Sequence, residues 1–395
     1  MTDRRVSRRG LLVGGAGLGI GAAAAAGVAG LVAGGGPPPE ATPTALNGER
    51  TVPFHGRHQA GVTVAPPAHV SYAAVDLDPA TDRAGLARLM RLLTDDAARL
   101  TQGRGPLADD EPELAGAPAG LTVTFGVGPG FVARAGAAAP AWLRPLPAFS
   151  VDRLDPAYCG GDLLIAVASD DPLTVVHATR MLLKDVRTFG SLRWQQTGFR
   201  RAAGSETPGS TMRNLFGQLD GTANPRPEDP DFASSLWCTA EPRWLAGGTS
   251  FVLRRIRMDL DGWDRLDRPS REQALGRTLR TGAPLTGSRE TDDPDLQAVD
   301  AHGFPVIPAF AHVRRARSGR EQIHRRGYTF TEPAGAAGLL FGSYQADVDA
   351  QFVPIQRRLD ELDLLNRWTT PVGSAVFAIP PGWAPGGFVG ETLLG

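Results

Sequence analysis

The chain has 395 residues, of which 42% are hydrophobic, and its formal net charge is -1. Because single hydrophobic cores rarely grow beyond about 250 to 300 residues, this length predicts two domains. The small net charge provides no field that would draw the protein onto nucleic acid, so a small-molecule or protein partner is expected instead. The two cysteines, Cys159 and Cys238, exclude a zinc site built from thiolates, and we expect both to be unpaired.

The N-terminus carries an arginine pair ahead of an apolar segment. The stretch Ser7-Arg8-Arg9-Gly10-Leu11-Leu12, followed by a run rich in glycine and alanine, is similar to a twin-arginine export signal. We predict a signal peptide over residues 1–36 and a flexible linker over residues 37–49, where proline, alanine and threonine are frequent. The expected location is periplasmic or extracellular, with a membrane tether through the signal segment if that segment stays uncleaved.

The next part of the chain alternates predicted strands with two predicted helices. Apolar residues at helical spacing predict helices over residues 83–102 and 172–185. Short apolar or alternating runs predict strands over residues 62–64, 70–77, 121–126, 162–168 and 191–200. Together these elements have the order βαββαβ.

A similar order follows in the second half. Strands are predicted over residues 251–258, 338–344 and 375–379, and helices over residues 270–279 and 348–365. Two consecutive halves of this kind predict an α+β fold made of duplicated ferredoxin-like modules of the dimeric α+β barrel type, with antiparallel sheets. We place the modules at residues 50–210 and 211–395. The second module carries the residues that could bind a cofactor or take part in catalysis.

Two polar clusters in the second module could form a site. In the first, Asp220 lies in a loop between Gly217 and Gly221, and glycine lets a backbone approach a flat ligand closely. In the second, His312 stands among arginines, with Arg325 a short distance along the chain. Imidazole is a common ligand of haem iron, and arginines suit its propionates. Taken alone, each cluster has a simpler interpretation, a turn and a solvated basic loop.

The joint order of these motifs is more specific than either cluster. Five motifs follow one another along the chain: Gly217 to Gly221 (GxxDG), Asn224-Pro225, His312-Val313-Arg314, Arg325-Arg326-Gly327 and Leu339-Leu340-Phe341-Gly342-Ser343-Tyr344-Gln345. In this order the chain resembles the dye-decolorizing peroxidases over residues 50–383. It is most similar to their exported bacterial subgroup, which includes deferrochelatase-type peroxidases.

The resemblance implies an oxidoreductase with one haem b per chain, which reduces hydrogen peroxide and oxidises small aromatic reductants such as dyes or phenols. Position by position, it makes His312 the proximal iron ligand, Asp220 the distal acid and Arg325 the distal arginine. It further implies haem contacts from a group of flanking residues, namely Gly221, Thr222, Ala223, Arg317, Ser318 and Arg325.

Two other functions stay open at this point. A deferrochelatase would release iron from haem and work with iron-uptake proteins. A non-catalytic haem carrier or sensor would need His312, but the joint presence of Asp220 and Arg325 argues against it. A homo-oligomer is also compatible with the sequence.

The proximal histidine of a haem protein needs an acceptor for its second ring proton. From sequence, Asp347 is the candidate for this acceptor. The alternative is that Asp347 is an ordinary acid at the N-terminus of the helix that follows, before Val348. On the distal side, the Asp220 carboxyl group would accept and then donate a proton. This role predicts an acidic pH optimum. A rate profile that is flat or rises from about pH 4 to about pH 8 would contradict this prediction.

Overall fold

The computed structural model describes residues 46–239, 241–333 and 335–395. The predicted signal peptide lies outside the described residues, as does the linker up to residue 45. The last linker residues form a single 3-10 turn, Asn47–Glu49. Within the described ranges, no helix is both long and apolar enough to cross a membrane.

Eight strands form one closed barrel in the described part of the chain. The four strands of the first half are β1 (His69–Leu77), β2 (Thr122–Val127), β3 (Leu163–Ser169) and β4 (Gly190–Phe199). The four strands of the second half are β5 (Thr249–Met258), β6 (His324–Thr331), β7 (Ala337–Gln345) and β8 (Thr369–Ile379).

Each half repeats the same strand order, which confirms the predicted duplication of a ferredoxin-like module. The barrel order is β1-β3-β2-β8-β5-β7-β6-β4, so the halves read β4-β1-β3-β2 and β8-β5-β7-β6, with antiparallel pairs throughout. The halves join where Val127 pairs with Ala378 and where Phe199 pairs with Thr329.

Helices cover the outside of this barrel. In the first half, α1 (Arg83–Leu100) begins after Asp82, whose side chain caps the Gly85 N–H, and α3 (Pro172–Val186) begins after Asp171 in the same way. The remaining helices are α2 (Pro129–Arg134), α4 (Phe232–Leu236), α5 (Leu260–Asp264), α6 (Arg268–Leu275), α7 (His312–Arg317), α8 (Val353–Leu362) and α9 (Glu391–Leu394).

Strand β3 shows why a continuous apolar run forms a strand here. All seven of its residues are buried. Because successive side chains point to opposite faces, Leu163 and Ile165 pack in the outer core with α1 and α3, whereas Leu164 and Ala166 face the barrel interior. Aromatic rings fill that interior, including Tyr72, Phe251, Tyr344 and Phe377.

The structure corrects three predicted elements and adds one strand. Residues 62–64 form a turn, and the helix predicted over residues 270–279 ends at Leu275 because Gly276 adopts a left-handed conformation. The helix predicted over residues 348–365 is divided into a π-helical turn (Val348–Phe352), α8 and a 3-10 turn (Leu364–Arg367). Strand β6 was not predicted, because charged side chains interrupt its apolar pattern.

A pair of carboxyl groups lies between α1 and α3. Asp96 is buried and Asp185 is half-buried, with no hydrogen-bond donor for Asp185 Oδ2 among the described residues. Burial, followed by the charge of Asp96, raises the pKa of Asp185 to about 8. Asp185 therefore stays protonated in the folded protein at pH values where it is ionised in the unfolded chain.

This raised pKa predicts that stability falls with pH. The contribution of Asp185 to the free energy of unfolding is fully present below its unfolded pKa of about 3.9. It is lost as pH rises toward about 8, because in this range the unfolded state binds fewer protons than the folded state. We expect Asp185→Asn to raise the melting temperature at pH 8 by about 2 °C and to flatten its pH dependence, measured by calorimetry. The control is Asp95→Asn, one residue from Asp96 but exposed; the same flattening there would contradict the assignment.

Candidate active site

The loop that carries Asp220 is held at both ends. The Asp220 N–H donates to the carbonyl oxygen of Met212 at 2.7 Å, and Gly221 has φ +133°, a value that favours glycine. After this turn, the Asn224 N–H donates to the Gly221 carbonyl at 2.9 Å. These bonds fix the Asp220 carboxylate toward the neighbouring strand.

That strand is β6, which carries Arg325 as its second residue. Arg325 Nη1 donates to Asp220 Oδ1 at 3.4 Å, and both side chains are largely buried. Because side chains alternate along a strand, Arg326 points the other way, where its Nη1 donates to the Val64 carbonyl at 2.6 Å. Of the two adjacent arginines, Arg325 is therefore the one beside Asp220.

His312 is the first residue of α7 and has a carboxylate partner. Its Nδ1 lies 2.6 Å from Oδ2 of Asp363, while Asp363 Oδ1 accepts the Leu365 N–H at 3.0 Å. Asp363 is 4% exposed in its side chain, so this bond is shielded from water. With Nδ1–H donated to Asp363, the other ring nitrogen, Nε2, has its lone pair free for a metal.

The environment of His312 favours an electron-rich imidazole. Burial acts to lower the pKa of His312, but the charge and hydrogen bond of Asp363 outweigh burial, so the pKa lies above its ordinary value. A carboxylate in this position fixes the tautomer of a ligating histidine and increases its basicity.

Asp363 replaces Asp347 as the proximal partner. The prediction of Asp347 is wrong: its side chain accepts the Ala350 N–H at 2.9 Å and caps the π-helical turn, as the alternative interpretation held. Asp363 escaped the sequence analysis because the helix predicted over residues 348–365 ran through it. In the structure α8 ends at Leu362, and Asp363 caps the 3-10 turn that follows.

Two cavities share His312 and Arg325 in their walls. Their volumes are about 750 Å³ and about 120 Å³. The larger cavity also borders Thr222, Ala223 and Arg317, and the smaller one borders Asp220. The structure thus brings together six of the residues that the sequence analysis selected.

Two selected residues do not reach the cavity walls. The Ser318 hydroxyl donates to the carbonyl oxygen of Arg314, within the end of α7, and Ser318 is exposed. Gly221 supplies the turn after Asp220 and borders neither cavity. Ser318 therefore serves the helix end in this structure, and Gly221 serves the loop.

The polar wall of the larger cavity fits the two propionates of a haem. Arg277 is 7% exposed, and its Nη1 donates to the backbone carbonyls of Gly282 and Glu290. Burial, then the charges of Arg317 and Arg325, lower the pKa of Arg277. Arg317 already pairs with Asp293 at 3.1 Å, and an anionic propionate beside Arg277 would further offset the repulsion among these guanidinium groups. Arg277 was not selected as a site residue from sequence.

His324, next to Arg325, is neutral near pH 7. Burial and the charge of Arg326 lower its pKa to about 4. Its ring packs edge-on against Phe232, with centroids 6.5 Å apart. His324 therefore adds no positive charge to the site.

Another cavity, of about 950 Å³, lies apart from this site. Its wall includes Trp237, Arg57 and Glu391, and it contains none of Asp220, His312 and Arg325. Size alone would direct attention there, but the polar groups that could bind a metal and act on peroxide converge on the smaller pair of cavities.

Helix α7 depends on a close approach at Gly276. This residue has φ +77°, and a Cβ added to it would lie 2.4 Å from Val313 Cγ1. Val313 follows His312 directly, so a Cβ at position 276 must shift Val313, next to the residue that presents the imidazole. We expect the free energy of unfolding, measured with urea, to fall by about 2 to 4 kcal/mol, and haem affinity to fall with it.

Gly303→Ala is the matched control for this substitution. Gly303 has φ +84°, and a Cβ there would meet nothing within 4 Å. It therefore shares the backbone cost of about 1 kcal/mol without the steric conflict. Equal losses in the two variants would show that contact with Val313 is unimportant.

Two family models match the chain in succession. A model described as Dyp-type peroxidase, N-terminal, matches residues 59–200, and one described as Dyp-type peroxidase, C-terminal, matches residues 211–384. The second match contains Asp220, His312 and strand β6.

Two named relatives match most of the chain. A dye-decolorizing peroxidase of Thermobifida fusca (strain YX) is 38% identical over 361 residues, covering 85% of this chain and 83% of the relative. A deferrochelatase of Escherichia coli (strain K12) is 35% identical over 362 residues, covering 84% of each chain.

Solved structures share the fold closely. A DyP-type peroxidase from Cellulomonas bogoriensis has a TM-score of 0.85 and 55% sequence identity, with 89% of this chain and 99% of that one covered. Ferric DtpA from Streptomyces lividans has a TM-score of 0.84 and 38% identity, with the same coverage.

Proposed function

Because the chain belongs to the DyP-type peroxidase family, we propose that His312, Asp220 and Arg325 carry its peroxidase chemistry. The protein is a haem peroxidase with haem b as its cofactor, and it reduces hydrogen peroxide with electrons from a reducing substrate. One observation carries the assignment of roles: Asp220 and Arg325 are paired at 3.4 Å on the same cavity that His312 borders.

On the proximal side, His312 would hold the cofactor through Nε2, because Nδ1 is engaged by Asp363. Arg277 and Arg317 would pair with the propionates. When bound, haem would supply a redox-active iron that takes up the oxidising equivalents of peroxide. The chain's own part is to orient the cofactor and to move and balance charge around the peroxide.

On the distal side, Asp220 accepts a proton from one peroxide oxygen and returns it to the other, which leaves as water. Cleavage of the O–O bond places negative charge on the departing oxygen, and Arg325 stabilises that charge because a guanidinium keeps its proton in proteins. The 3.4 Å pair also holds Asp220 in place before peroxide arrives.

The test uses the haem-loaded mature protein and one equivalent of hydrogen peroxide, followed by stopped-flow absorbance. We expect a rapid change of the haem spectrum in the parent and a change at least about tenfold slower in Asp220→Asn. Normal haem content with an unchanged rate in Asp220→Asn would reject the role of Asp220. We propose small aromatic donors, dye-like or phenolic, as the reducing substrates.

Iron release from haem is a second candidate, supported by the 35% identity to a protein named deferrochelatase. It differs from peroxidase turnover in its products. Incubation with haem and a reductant would yield free iron and intact iron-free porphyrin. Detection of both would favour this function, and porphyrin degradation or retained iron would oppose it.

We also propose export by the twin-arginine route, based on Arg8 and Arg9 before the apolar segment. The test is fractionation of cells that express the full chain. Arg8→Lys with Arg9→Lys should retain the protein in the cytoplasm, whereas the control, Arg4→Lys with Arg5→Lys, should leave export intact. Equal export in both double variants would contradict the proposal.

A further inference from the structure

The side chain of Asn224 makes three hydrogen bonds to a single residue, Arg325. Asn224 Nδ2 donates to the Arg325 carbonyl at 2.7 Å. Asn224 Oδ1 accepts from the Arg325 backbone N–H at 3.0 Å and from the Arg325 Nε at 3.2 Å. The same amide group therefore holds both the backbone and the guanidinium of Arg325.

The backbone of Arg325 is available because the edge of β6 is open there. On one side β6 pairs with β7, where Arg325 lies opposite Ser343. On the other side its contact with β4 is the single pair of Phe199 with Thr329, four residues beyond Arg325. Asn224 satisfies the backbone groups that a neighbouring strand would otherwise bind.

Asn224 also belongs to the loop that carries Asp220. Its own N–H closes the turn onto Gly221, directly after Asp220. The loop from Asp220 to Asn224 thus supplies the carboxylate and also binds Arg325. The distance between Asp220 and Arg325 therefore depends on the hydrogen bonds of Asn224. The Nε bond additionally limits rotation of the guanidinium, which leaves Nη1 directed at Asp220.

We propose that Asn224 is a positioning residue for the peroxide reaction, acting through Arg325. This inference rests on the role proposed above for Arg325. Small displacements of a charged group from its working position cost large factors in rate, so loss of the Asn224 bonds should slow the reaction without removing any group that touches peroxide.

The experiment is a double-mutant cycle on the haem-loaded protein with Asn224→Ala, Arg325→Ala and the combined variant. We expect Asn224→Ala to lower the second-order rate constant with hydrogen peroxide about tenfold at unchanged haem content. In the Arg325→Ala background the same substitution should change the rate by less than about twofold, because the residue through which it acts is gone. Asn47→Ala, at a remote exposed asparagine, is the control and should match the parent.

Fluoride affinity of the resting haem-loaded protein is the second readout, independent of turnover. Fluoride bound beside Arg325 in the haem-loaded protein would be stabilised by the guanidinium, so Asn224→Ala should weaken fluoride binding several-fold, and only when Arg325 is present. Asn224→Gln keeps both the acceptor oxygen and the N–H donor of the amide, displaced by one methylene, so it should recover part of the fluoride affinity.

The outcomes separate the two proposals. If Arg325→Ala is slow while Asn224→Ala matches the parent in rate and fluoride affinity, the positioning role is wrong and the role of Arg325 stands. If Asn224→Ala slows the reaction equally in both backgrounds, it acts independently of Arg325 and the positioning role is again wrong. If Arg325→Ala matches the parent, the role proposed for Arg325 is wrong, and the positioning role is wrong with it. Should Asn224→Ala not fold, Asn224→Gln in the same cycle tests the positioning role instead.

Discussion

Replacement of Arg325 by alanine is expected to lower the second-order rate constant for hydrogen peroxide about 100-fold, the effect typical of removing a donor that stabilises developing negative charge. The residue lies on β6 with Nη1 3.4 Å from Asp220, in the walls of both cavities that His312 borders. Its loss removes the positive charge from the distal side and leaves the Asp220 carboxylate without its partner. Stopped-flow mixing with peroxide, with haem content determined for each preparation, measures the change.

The control is the adjacent residue, because sequence alone offers two arginines. Arg326 is 3% exposed, and its side chain bonds to the Val64 carbonyl on the other face of the strand. Arg326→Lys preserves a donor for that carbonyl and should keep the rate. A normal rate in Arg325→Ala together with a slow one in Arg326→Lys would transfer the role to Arg326.

The duplicated architecture could be predicted because helices and fully buried strands leave strong periodic patterns. The run Leu163–Ser169 is apolar on both faces, since one face packs on α1 and α3 and the other fills the barrel. Strand β6 has no such pattern, because one face carries Arg325 toward the cavity and the other carries Arg326 into the barrel. Hydrophobic periodicity therefore did not reveal β6, the strand that carries Arg325.

The candidate site was predictable where a residue lies in a local motif and not where it depends on tertiary contact. Asp220 and Arg325 were selected from motif order. The fold brings Arg325 Nη1 within 3.4 Å of Asp220 Oδ1, although 105 positions separate the two residues in the sequence. Asp363 gave no signal, because its identity as a partner follows from the end of α8 rather than from neighbouring residues. Ser318, selected with the arginines around it, bonds to its own helix instead.

Replacement of Asp363 by asparagine should weaken haem binding about 10- to 100-fold, the range found for partners of metal-ligating histidines. Asp363 uses its two oxygens for two donors: Oδ1 accepts the Leu365 N–H and Oδ2 accepts His312 Nδ1–H. Asparagine has a single oxygen. If that oxygen keeps the Leu365 bond, the new amide N–H faces Nδ1 of His312 and favours the tautomer protonated at Nε2, which has no lone pair for iron.

The opposite orientation of the asparagine also has a cost. Its oxygen could accept the His312 proton, but the amide N–H group would then face the Leu365 N–H, and a buried donor would lose its acceptor. In that state haem binds through a less basic imidazole, so the iron should be easier to reduce and the midpoint potential should rise. Haem titration of the apoprotein and a spectroelectrochemical potential distinguish the two orientations.

Asp347→Asn provides the matched control for this experiment. Asp347 is also an acid that caps a turn, through its bond to the Ala350 N–H, and asparagine caps such positions well. It contacts no ligating histidine, so haem affinity and midpoint potential should equal those of the parent. Equal haem affinity and potential in Asp363→Asn would mean that the 2.6 Å bond to Nδ1 does not govern the imidazole, whereas loss in Asp347→Asn alone would restore the partner that the sequence had suggested.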